Sequence, residues 1–151
     1  MCLVRVFLII LIIYVVHSLK EDLNRRKYGI DDMNIWDENI VRFYENPCEN
    51  MTDVLIADLE YYTVGLLLMV RFIELGEDDV MKKAIDLKES GGPKFLQINM
   101  NSTELREKSN WDDYNTRLYE RSKEDAEDAW SRFTAAIKKA DFIKRFDKMN
   151  S

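Results

Sequence analysis

Few side chains in this chain are suited to catalysis or metal binding. It has one histidine, His17, and two cysteines, Cys2 and Cys48. His17 and Cys2 fall within residues 1–18, which read as a secretory signal peptide. Arg5 gives a short positive start, and Val6 to Val16 is a run of eleven apolar residues. Val16 and Ser18 place small residues where signal peptidase cuts, so the mature chain is expected to begin at Leu19. A spanning helix needs roughly 20 apolar residues, which this run does not reach.

After cleavage no histidine remains. That excludes Ser-His-Asp and Cys-His nucleophiles, H-E-x-x-H zinc sites and Glu-x-x-His di-iron sites. No Ser-x-x-Lys, G-x-G-x-x-G or phosphate loop occurs in the mature chain. No stretch fits the EF-hand loop; Asp31 opens an acidic run, but Met33 stands where an oxygen ligand is required. The 28 acidic residues could supply a glycosidase-like carboxylate pair; on a helix-rich chain they read as solvated faces. No catalytic, cofactor-binding or metal residue is assigned, and no enzyme is expected.

Cys48 is then the mature chain's single thiol. In a secreted protein such a residue is a candidate for an intermolecular disulfide. The competing reading is a partly buried thiol acting as a small hydrophobe. Asn50-Met51-Thr52 and Asn101-Ser102-Thr103 are N-glycosylation sequons, which makes Asn50 and Asn101 the candidate glycan sites. Thr52 and the Ser102-Thr103 pair also suit helix N-caps.

The net charge of −6 becomes −7 once Arg5 leaves with the signal. That balance argues against a nucleic-acid partner, which requires a positive field. Arg25-Arg26-Lys27 lies in a polar leader over 19–30; a proprotein cleavage site is one reading, and a solvated stretch before the first helix is the one adopted. Lys138, Lys139, Lys144, Arg145 and Lys148 form a basic run in the last helix. They suit the negative end of its dipole.

These residues sit on helices. Met33, Trp36, Ile40, Phe43 and Tyr44 share one face of a helix over 32–46, capped by Asp31 or Asp32 and stopped by Pro47. A second helix over 53–75, capped by Thr52 or Asp53, ends at Gly76. It is apolar nearly all round from Tyr61 to Ile73, so it reads as a central helix buried on all sides. Gly65 within it implies close packing by another element. A third helix over 77–89 ends at Ser90-Gly91-Gly92. Phe95, Leu96 and Ile98 are expected to enter the core from an ordered loop.

Residues 103–148 read as helical. Leu105, Trp111, Tyr114 and Leu118 form one stripe, and Ala126 to Phe146 another. The charged run 120–125 separates them. An unbroken helix from Asn110 to Lys148 would be about 58 Å long, against a domain diameter of roughly 36 Å. A bend or restart near Ser122 is expected, with Ser122-x-x-Asp125 as its cap.

The sequence thus specifies an all-α fold: a helical bundle of about four helices in a single domain over 31–149. Two functions fit. The first is a secreted, N-glycosylated, non-enzymatic interaction protein that binds a protein partner or itself. The second is an extracellular carrier of a hydrophobic, lipid-like molecule, with Met69, Met81 and Tyr62 lining its pocket.

Overall fold

A computed structural model describes residues 30–150. The signal segment 1–18, the leader through residue 29 and the Arg25-Arg26-Lys27 triplet lie outside the described residues. Six α-helices and one 3-10 turn make up the described chain, which contains no strand. The all-α expectation holds.

Helix α1 covers Met33–Glu45. Its apolar repeat buries Met33, Ile40, Phe43 and Tyr44. The expected cap is absent: Asp32 is helical in backbone and its side chain makes no capping bond. Asp31 instead pairs with Lys83, and Ile30, expected in the leader, is buried in the core. A 3-10 turn, Glu49–Met51, then leads into α2, Thr52–Glu74.

Thr52 is not the cap either; Met51 holds that position. The Thr52 hydroxyl donates to the Glu49 carbonyl (2.9 Å) and accepts from Trp111 Nε1 (2.6 Å). Helix α2 stops at Gly76, whose φ of +78° few other residues adopt. The Gly76 and Glu77 amides close onto the Ile73 and Phe72 carbonyls, which satisfies groups the helix end leaves open.

Helix α3, Asp78–Glu89, ends the same way at Gly91. The expected loop contains a one-turn helix, α4, Lys94–Gln97, whose Phe95 is fully buried. Asp37 of α1 fixes it: the carboxylate accepts from the Lys94 and Phe95 amides at 3.1 and 3.0 Å. Helix α5, Ser102–Lys108, precedes α6, Asp113–Asn150.

The expected break near Ser122 is corrected. Helix α6 runs unbroken through 120–125, and Ser122 is buried. Tyr119, Ser122, Ala126, Ala129, Phe133 and Ile137 form one buried row in steps of three and four. A serine continued the apolar row unrecognised. Tyr119, not Tyr114 or Leu118, faces inward; Tyr114 is exposed and Leu118 half-buried. The real break lies earlier, at Ser109–Asp112, where Asn110 takes a left-handed φ of +52°. The Trp111 amide there closes onto the Arg106 carbonyl.

The core lies between α2 and α6, with α1 and α3 packed on α2. Met33 seats directly on Gly65, its Sδ only 2.9 Å from where a β-carbon would stand, so the close approach implied by that glycine is present. Tyr44 and Tyr119 join hydroxyls at 3.0 Å inside the core. Burial pushes both phenols up, Tyr119 to about 12 and Tyr44 further, so the pair stays protonated.

Candidate interaction surface

Helix α2 is central but is not buried all round, which corrects the expectation. Leu55, Leu59, Tyr62, Leu66, Met69 and Ile73 face inward. Val54, Tyr61, Val64, Leu67 and Leu75 stand between 40% and 56% exposed. Ala57 and Leu68 are half-buried beside them. The two sets share one helix because its sequence is apolar on opposite faces; the bundle covers one fully and touches the other at Leu68 and through Trp36.

Val54, Tyr61, Val64 and Leu75 lie on one stripe with the half-buried Ala57 and Leu68, and Leu67 stands beside it. Positions 54, 57, 61, 64, 68 and 75 alternate in steps of three and four, with Arg71 occupying the remaining place. Trp36 of α1 leans against Tyr61 with ring centroids 5.6 Å apart, which extends the stripe sideways. At its N-terminal end the stripe runs into a hollow of about 310 Å³ between α1 and α2. Phe43, Val54 and Leu55 floor it, and Arg42 and Asp58 stand at its edge. Asp58 is buried, and desolvation raises its carboxyl above the usual range, partly countered by a hydrogen bond to Asn39.

Cys48 lies in the turn before α2 and is exposed with a free thiol, which removes the buried-thiol reading. Asn50 is exposed in the same turn. Asn101 is exposed at the start of α5, and its own Oδ1 accepts from the Thr103 amide at 2.9 Å. The asparagine is therefore the cap expected of Ser102 or Thr103. A glycan on Asn101 would attach at Nδ2 and leave that oxygen in place.

The three residues named as carrier lining do not converge. Tyr62 is buried edge-on against Phe95. Met69 borders a hollow of about 380 Å³ that Asp31, Lys83 and Asp86 also line. Met81 borders another, of about 450 Å³, with Lys88 and Lys138. Along the basic run, Lys138 and Lys139 are exposed and Arg145 pairs with Asp141 at 2.8 Å; the side chains of Lys144 and Lys148 lie outside the description. No group of three or more metal-ligating side chains occurs among the described residues, and no described helix is long and apolar enough to cross a membrane.

Sequence composition did not single out the stripe as a surface. The signal was present in its spacing: two interleaved apolar repeats on one helix exceed what one core contact can cover. The chain matches no protein-family model, no curated protein and no solved structure.

Proposed function

We propose that this is a secreted, N-glycosylated helical interaction protein that engages a protein partner, or a second copy, through the exposed face of α2. One observation carries the reading: the apolar stripe from Val54 to Leu75 on a helix whose other face is already packed. A stripe about 32 Å long and about 10 Å wide covers roughly 300 Å², the size of the largest apolar patch on an ordinary monomer, which is often its functional surface. The leader pattern and the two exposed sequon asparagines support secretion and glycosylation.

Secretion from eukaryotic cells tests the first half. The protein in the medium should start at Leu19 and lose mass on enzymatic deglycosylation; retention of Met1 would overturn it. Chemical cross-linking in that medium tests the second. Wild type and Lys139→Glu, altered far from the stripe, should give the same cross-linked product, and Val64→Lys should lose it. Equal products from all three would contradict the role of α2.

A hydrophobic carrier is the second reading, favoured by the hollow floored by Phe43, Val54 and Leu55. Its ionic edge fits an amphipathic ligand better than a purely apolar one.

A further inference from the structure

The spacing of the α2 stripe says what should cover it. Strict alternation of three and four residues averages 3.5, the repeat of a helix that meets another helix along its length. The opposite face of the same helix shows what such a repeat does. Leu55, Leu59, Tyr62, Leu66, Met69 and Ile73 follow the same alternation, and α6 packs along the helix that carries them. The stripe from Val54 to Leu75 repeats that spacing, and its Val54, Tyr61, Val64 and Leu75 remain exposed, without a second helix along them.

Charge then selects the occupant and its direction. Asp53, Glu60 and Glu74 border the stripe, and Arg71 is the single cation on α2. Among the described residues Arg71 makes an exposed contact with Glu74 at 3.5 Å, a pair weak enough to rearrange. Laying a second α2 parallel and in register would set Arg71 on Arg71 and Glu60 on Glu60. Laying it antiparallel brings Arg71 to the ring of Tyr61 and the carboxylate of Glu60, both favourable to a guanidinium. Self-complementary pairing about a two-fold axis is the usual form of a homodimer interface.

We propose that the stripe is a self-association surface, on which α2 of a second copy lies antiparallel with Val64 opposite Leu68, Ala57 opposite Leu75 and Tyr61 opposite Arg71. This rests on the interaction role proposed above and names the partner. The pairing joins the two stripes from Ala57 to Leu75, leaves Val54 beyond the overlap, and gives Arg71 a second carboxylate. It also carries the two Cys48 turns to opposite ends of the paired helices, so the dimer forms without a disulfide.

Sedimentation equilibrium of the full secreted glycoprotein, with reductant present, tests it. Wild type should show a monomer–dimer equilibrium. Glu60→Arg and Arg71→Glu alone should each weaken it roughly ten-fold, because each places like charges together. The double variant Glu60→Arg/Arg71→Glu restores opposite charges and should return to within roughly three-fold of wild type. Both substitutions are on exposed side chains, and circular dichroism checks that all three variants keep the fold. A wild type that stays monomeric at every accessible concentration overturns the proposal, as does a double variant no better than the singles. If wild type is monomeric but its cross-linked product with another protein still depends on Val64, self-association fails and the interaction role stands. If that dependence is absent as well, both fail.

Discussion

Thr52 carries two obligations. Its hydroxyl holds the Trp111 indole N–H inside the core, and its side chain completes the Asn50 sequon. Thr52→Ala leaves a buried donor without a partner, which costs about 1–3 kcal/mol. Denaturant melts should show that loss relative to Asn50→Gln, which removes only the sequon, while Thr52→Ser should keep both bond and sequon. Asp58 gives a pH signature. Burial raises its folded carboxyl above the unfolded value, so the folded state binds the proton more tightly. Its contribution is least unfavourable at acidic pH, and stability falls as pH rises from the ordinary carboxylate range through the folded pKa. Asp58→Asn should therefore be more stable than wild type at pH 7, and the gap should close toward pH 4. A gap that widened in acid would contradict that sign. Some of this was legible in the residues alone. Gly65 announced a close neighbour, and Met33 is that neighbour. Asp37 announced nothing, because the amides it holds lie 57 and 58 residues away and no local pattern encodes them.

Among the elements, helix ends were the most legible. Gly76 and Gly91 stop α2 and α3 because a left-handed residue closes the last turn, and that requirement is local. The stop at Asn110 follows the same geometry but was missed, because asparagine is a weaker signal than glycine. Asn110→Gly should be tolerated, whereas Asn110→Val should cost about 1–2 kcal/mol by forcing a branched side chain into the left-handed region; thermal melts of both distinguish them. The continuity of α6 was misread because its charged run 120–125 hides Ser122, the one small residue that keeps the buried row in step. Glu120, Arg121, Lys123 and Glu124 are themselves good helix formers, and Lys123 and Glu127 pair one turn apart at 3.9 Å. At about 57 Å the helix outruns a domain of roughly 36 Å, and Ile137 is the last buried residue described along it.

At the scale of the molecule, a helix with two apolar faces and one covered face needs a second surface. Periodicity reveals both faces of α2, but only the packing of α1, α3 and α6 decides which is spent on the core. That is why the fold class was readable from the chain and the exposed apolar face was not. Val64 lies at the centre of the exposed stripe and 53% exposed, so Val64→Lys should leave the melting transition nearly unchanged. The direct test is native mass spectrometry of secreted, glycosylated protein without reductant, comparing wild type with Val64→Lys. The result expected is a protein complex in wild type that dissociates on denaturation and is absent from Val64→Lys. Bare monomer in both, or a small-molecule adduct unaffected by the substitution, would contradict a protein-binding role for α2.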